Sequence, residues 1–225
     1  MKQKRRGERA AGRRRAGRPQ NGGQSVGPET LVDATIALLR TVPPAKVTLR
    51  EVARRTRVDP ALVRYYFGDK SGLLVKAASH LVAEYYASTT PKIHGRKSVR
   101  ERLRQRISDI LKVLSDNPYL HQIMVEQVVH WHRQAGKKML KEVTDQAYGI
   151  SRTLVDEGVA AGEMRRVDPR LLHIAIVGLC EAFVSLRPLT EELFKGKAQE
   201  ELIARYRDFL VGLLLDGLRP RPPRE

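Results

Sequence analysis

Cysteine is almost missing: Cys180 stands alone in 225 residues. That excludes an internal disulfide and a cysteine-based metal cluster, and it fits a reducing compartment. Long apolar runs are missing too. No stretch of about 18 uncharged apolar residues is present to span a bilayer, and the basic N-terminus leads into no signal-peptide-like apolar segment. The chain is therefore expected to be soluble and cytoplasmic, with no membrane partner. Strand-like alternation and internal repeats are absent, so the expected class is all-α. A nucleophile with its base, a glycine-rich phosphate loop and a carboxylate dyad are also lacking; no catalytic residue is assigned and no cofactor is expected. Acidic residues are in deficit, with Asp and Glu numbering 25 against 42 Lys and Arg, a net +17 and a pI near 10.4. Such a balance favours phosphate-bearing partners. What is present in quantity is apolar residue, 41% of the chain, enough for a real core.

Residues 1–27 stand apart, with nine Lys and Arg against Glu8 alone, six glycines and almost no large aliphatic side chain. Such a segment cannot offset its chain entropy by burial and is expected to be a mobile basic arm, or simply a solubilising tail. From Pro28 helical spacing takes over: Leu31, Ala34, Thr35, Leu38, Leu39 and Val42 form one stripe, stopped by Pro43-Pro44. Thr48 to Glu51 is a capping box for a second helix to Thr56, and Asp59-Pro60 opens a third through Phe67. A fourth helix is expected from Lys70 to about Ser88, and the polar break Pro91 to Lys97 is the expected hinge. Then come a helix from the capping box Ser98 to Glu101 to about Ser115, one from Asn117-Pro118 to about His132, and a long one from Gln134 to Ala161. Asp168-Pro169 opens a helix that is apolar nearly all round, shorter than a membrane span and interrupted by His173 and Glu181. A last helix, about Gln199 to Leu218, carries Leu202, Tyr206, Phe209, Leu210, Leu213 and Gly217 on one face.

Residues 48–67 supply what a helix-turn-helix DNA reader needs, two short helices on a tight turn after a first amphipathic helix. Val52, Ala53, Val58, Val63 and Tyr66 fall where the unit needs small or apolar side chains. The run from Thr48 to Leu74, with its Tyr66-Phe67-x-x-Lys70 and the following Leu73-Leu74, closely resembles the DNA-binding signature of the tetracycline-repressor (TetR) family of bacterial regulators. With the preceding helix the resemblance covers about residues 28–75. It implies an all-α chain with an N-terminal three-helix, helix-turn-helix DNA-binding domain at 28–75. A larger helical ligand-binding and dimerisation domain follows at 76–218, with a tail at 219–225. It also implies that Thr48 caps the supporting helix against a phosphate and that Pro60, Ala61, Leu62 and Arg64 face the groove floor. Tyr65, Tyr66 and Lys70 match positions that touch the DNA backbone. Three departures stand out: Arg57 where the turn commonly has glycine, at a left-handed position beside the DNA; Asp59 for a common serine; and Arg64 for a common tyrosine. Arg64 either reads guanine through O6 and N7 or contacts phosphate. A core role is assigned to Tyr66 and Phe67 in preference to stacking on bases. In the arm, Arg15-Ala-Gly-Arg18-Pro19 is either a minor-groove hook or a source of charge attraction.

The family resemblance makes Tyr119, Met124, Trp131, Tyr148, Cys180 and Phe183 candidate pocket residues, each with a plain core role as the alternative. His130 and His132 are two apart on a helix and point to different sides, so His121, His130 and His132 are not assigned to a metal, and Glu126 is taken as a helix partner of His130. Arg100, Arg102, Arg104 and Arg106 are assigned to a solvated face. Leu172, Ala175, Leu179, Phe209 and Leu213 on the two terminal helices are assigned to a four-helix interface between two copies, with Gly178 allowing close approach. The expected partners are thus a palindromic double-stranded operator, a second copy of the chain, and a small-molecule effector, in a bacterial cytoplasm. The expected function is a ligand-responsive, homodimeric repressor. The alternative is an architectural or non-sequence-specific nucleic-acid binder driven by the basic arm.

Overall fold

A computed structural model describes residues 26–93, 97–129 and 134–219, and among them every regular element is helical. Helix α1 (Pro28–Leu39) starts on a proline, whose missing N–H has no helical partner at that position anyway. A 3₁₀ turn (Pro44–Lys46) leads to α2 (Leu49–Thr56) and α3 (Pro60–Phe67). Val52, Ala53 and Val63, all at most 1% exposed, meet Leu31, Leu38, Leu73 and Leu74 in a first core. That core is not sealed by the N-terminal helices alone. Leu120, Ile123 and Met139, from further along the chain, complete it.

Helix α4 (Lys70–Ile93) runs beyond the expected end at Ser88 and through Pro91. Its last turn is held by burial: Thr89 is sealed, and Ile93 packs with Tyr86, Ala147 and Ile150 in a separate cluster. The hinge expected from Pro91 onward therefore begins no earlier than residue 94, and residues 94–96 lie outside the described set. Helix α5 (Val99–Asp116) opens on the expected capping box, with Ser98 Oγ accepting from Glu101 N and the Glu101 carboxylate accepting from Ser98 N. Asn117 closes α5 instead of opening the next helix, its side-chain amide donating to the Val113 carbonyl. The helix expected to continue to His132 is a single turn, α6 (Leu120–Ile123), followed by a π-helical stretch at Met124–Val129.

Helices α7 (Gln134–Ala160), α8 (Pro169–Ser185) and α10 (Gln199–Leu218) form the body with α5. Between the last two lies α9 (Arg187–Leu193), a short helix not expected from the sequence. The second core gathers Leu103, Ile107 and Leu111 of α5 with Leu154, Ile176, Cys180 and Leu210. It corrects one expectation. Arg102 and Arg106 are not on a solvated face: they are 6% and 1% exposed, because α5 is covered by α4, α8 and α10 on several sides. Arg100 and Arg104 are the exposed members of that run, Arg104 pairing with Asp208. Among the described residues no single helix is long and apolar enough to cross a membrane.

Candidate nucleic-acid interface

The reading unit is assembled from local caps. Thr48 Oγ1 accepts from Glu51 N at 3.1 Å and starts α2. The other half of the expected capping box is not made. Glu51 instead holds Arg54 at 2.7 Å and Arg55 at 3.1 Å, and these two guanidinium groups pull its carboxyl down to about 2. Two arginines are thereby fixed on the solvent side of α2 by one permanent anion. At the end of α2, Arg57 adopts φ 56°, the left-handed conformation that glycine takes without strain, and it is the one non-glycine to do so among the described residues. Asp59 then caps α3 by accepting from Ala61 N at 2.7 Å.

Helix α3 is held by a single buried side chain, Val63 at 0% exposure, with Phe67 half-buried against the same core. Pro60, Ala61, Arg64 and Tyr65 are exposed and Leu62 half-buried, so the N-terminal turns present a continuous accessible face. Tyr65 is 79% exposed. Tyr66 departs from its expected core position: it is 38% exposed, its ring set edge-on to Tyr65 at 5.3 Å, because Val63 and Phe67 take the side of α3 that meets the core, and the chain bends straight after Phe67. That bend has a steric origin. Gly68 takes φ 75°, and a Cβ on Gly72 would lie 2.1 Å from the Phe67 carbonyl oxygen, so only glycine lets the start of α4 come this close to the end of α3. Lys70 stands at the N-terminus of α4 with its ammonium 2.7 Å from the Ala45 carbonyl, fastening the 3₁₀ turn and leaving two further donors for an anion. Thr48, Arg57, Arg64 and Tyr65 are thus all solvent-facing, while Arg15 and Arg18 lie outside the described residues.

The candidate pocket residues are not brought together. Met124 packs on the first core; Cys180 and Phe183 belong to the second; Tyr148 is 42% exposed; Tyr119 is half-buried; and Trp131 lies outside the described residues. Burial lifts the Cys180 thiol to about 12, leaving it an inert packing group. Phe183 stacks on Tyr206 at 4.1 Å and lines an apolar groove of about 510 Å³ with Leu186, Leu189, Phe194 and Phe209. His130 and His132 are outside the described set; His121 sits 3.1 Å from Glu181, and Glu126 accepts from Gln122. Among the described residues no three metal-ligating side chains converge.

Of the residues assigned to an interface, Leu172 is buried in this chain's own core and Leu179 is half-buried against it, so neither is free to meet a second copy. The free face runs one position over. Leu171, Ile174, Ala175 and Gly178 line one stripe of α8, and Phe209 and Leu213 one stripe of α10, all exposed. Arg106, assigned from the sequence to a solvated face, has its Nη2 2.7 Å from His173 Nδ1 inside the body. Its place directly before Ile107 and three residues after Leu103 was the signal available in the sequence.

A family model described as bacterial regulatory proteins, tetR family, matches residues 31–77, and one described as tetracyclin repressor-like, C-terminal domain, matches residues 97–221. The HTH-type transcriptional regulator BetI of Burkholderia ambifaria is 29% identical over 126 residues, 56% of this chain; that match spans only 63% of the relative's length. BetI of Burkholderia cenocepacia is 28% identical over 201 residues, covering 89% of this chain and 84% of that protein. A candidate transcriptional regulator from Saccharomonospora viridis, crystallised in complex with choline, shares the fold with a TM-score of 0.69 at 16% identity, over 86% of this chain and 98% of that one. The three-helix reading unit and the helical body each match their counterpart, the second over more than half of the chain, and the protein belongs to the tetR family of bacterial regulatory proteins.

Proposed function

We propose that this chain is a sequence-specific transcriptional repressor that binds a palindromic DNA operator as a homodimer and releases it when a small molecule occupies the body. The observation that carries the reading is the face of α3: Pro60, Ala61, Arg64 and Tyr65 stand in solvent at the start of a helix braced from behind by Val63. A recognition helix enters the major groove by that end, and an arginine there can read guanine through O6 and N7. Thr48, Arg57 and Lys70 flank it as phosphate contacts, with the helix N-terminus of α4 adding its own donors. The charge of residues 1–27 adds affinity through counterion release, Arg15 and Arg18 included.

Dimerisation is supported by the exposed stripes of α8 and α10, a covering that one chain does not provide. Two copies joined there carry two α3 helices, and a palindrome is read when these stand about one DNA turn apart. Helix α4 links the two functions. Its first half sits in the core of the reading unit, with Leu73 and Leu74, and its second half in the body, with Tyr86 and Ile93. A ligand that displaces the second half moves α3. To turn a mostly bound population into a mostly released one, it must prefer the released form by about 5.5 kcal/mol.

The test is selection of binding sites from random duplex DNA, then affinity for the winner and a scrambled control at two salt concentrations. An enriched palindrome with a large affinity ratio is the expected result. Equal, steeply salt-dependent binding to both, abolished by deleting residues 1–20, overturns it in favour of an architectural binder that works through its arm.

A further inference from the structure

Arg106 is 1% exposed, yet its Nε and Nη1 have no hydrogen-bond partner. Its neighbours are neutral. Nη2 meets His173 Nδ1, with the phenols of Tyr85 and Tyr86 and the thiol of Cys180 nearby. Burial and the guanidinium itself pull the His173 imidazole down to about 4, so the histidine is an uncharged acceptor and not a second cation. Burial also raises the phenols of Tyr85 and Tyr86 and the thiol of Cys180, so none of them supplies a negative charge. Arg102, one turn earlier on α5, shows the ordinary solution: it is nearly as buried and pairs with Glu157. Among the described residues no carboxylate lies within ion-pair distance of Arg106. A sealed cation with open donors and no counter-charge is costly, and buried groups perturbed in this way cluster at functional sites.

We propose that Arg106 is the anchor for a small-molecule effector carrying a single carboxylate on an apolar body. The proposal rests on the ligand-responsive reading above and names the ligand's class. One guanidinium beside a neutral imidazole balances one negative charge, and a planar carboxylate fits its fork. The side chains around it, among them Leu103, Ile107 and Ile176, are hydrocarbon and suit an apolar remainder. Access has a visible route. A cleft of about 390 Å³ between the end of α1 and helices α4 and α5 has Tyr85 in its lining, together with Arg40, Lys92 and Lys112 and the carboxylates of Glu84, Asp109 and Asp116, Lys92 being paired with Asp109 and Lys112 with Asp116. Tyr85 both lines that cleft and lies beside Arg106, so the proposed path from one to the other passes its ring. Arg40 follows directly on α1, so an anion in this cleft bears on the reading unit as well as on the body. A quaternary ammonium ligand such as choline is disfavoured at the same place by the fixed positive charge.

The experiment is thermal melting of the full chain with acetate, butyrate, octanoate, dodecanoate and benzoate, each beside its primary amide, with choline as a further arm. A carboxylate at a hundredfold excess over its Kd is expected to raise Tm by roughly 5–10 °C more than its amide. Arg106→Met loses that difference, and Arg100→Met, exposed on the same helix, keeps it. The proposal is overturned if no carboxylate exceeds its amide, if choline is the ligand that stabilises, or if Arg106→Met retains the difference. The carboxylate–amide comparison on the unsubstituted chain decides the matter even where Arg106→Met does not fold. No DNA is present in this assay, so its failure leaves operator binding standing, and failure to select an operator leaves carboxylate binding standing.

Discussion

Two arginines on two helices mark the difference between the halves of this molecule. Arg64 on α3 and Arg106 on α5 each stand next to a β-branched aliphatic residue, Val63 and Ile107, yet one is in solvent and the other is 1% exposed. Helix α3 is eight residues long and touches its neighbours through one side, so Val63 and Phe67 go in and the rest stays out. Helix α5 is eighteen residues long and is covered by α4, α8 and α10, so even two of its arginines, Arg102 and Arg106, are enclosed. A reading head is built to expose its polar groups, and a body is built to hide them. The second kind of polar group must find its partner inside the fold or from a ligand.

The sharpest way to break the comparison is Leu103→Ala, which removes a 0% exposed side chain from the second core. We expect a loss of about 2–5 kcal/mol in denaturant unfolding. Arg64→Ala is the counterpart on the reading side. Its effect on folding should stay within about 0.5 kcal/mol because the side chain is exposed, while discrimination at one base pair per half-site falls by about 1–3 kcal/mol. Affinities for singly substituted operators measure it, and equal weakening on every sequence would reassign Arg64 to a phosphate. Arg57→Gly sits between the two regimes. Relief of the left-handed φ should stabilise the chain by about 1 kcal/mol, and the salt dependence of DNA binding should flatten by about 0.9 if the lost charge faced a phosphate.

A further effect belongs to the body and to pH. His173 has an ordinary value of 6.5 and is depressed to about 4 in the folded chain, so between those limits the unfolded state binds the extra proton. Stability is then fully present above pH 6.5, falls as the pH drops towards 4 and levels off below. His173→Gln should flatten that window in melting curves recorded across it. A variant with the original slope would place the acid sensitivity elsewhere.

Local rules carried the reading unit far. Proline at a helix start, Ser98 and Glu101 in a capping box, Asp59 before Pro60 and the left-handed Arg57 all act within a few residues, and each stands in the structure where its neighbours in sequence require. Glu51 left its box half made for another local reason, since Arg54 and Arg55 offered two charged donors. Local rules failed where a distant partner decided. Helix α4 survived Pro91 because Ile93 had Ala147 and Ile150 to pack on. Leu172 turned inward while Leu171 and Ile174 took the free face, a rotation of one position that periodicity does not resolve on a helix apolar nearly all round.

The sequence by itself determined the all-helical class and the caps at Thr48, Asp59, Ser98 and Asp168, since each depends on interactions no more than four residues long. Only the tertiary structure decided which arginines of α5 are buried, that the first core is closed by Leu120, Ile123 and Met139, and which stripes of α8 and α10 are left uncovered. Those outcomes depend on how many neighbours wrap a helix and from which side, and the chain settles that only when all of its helices have packed.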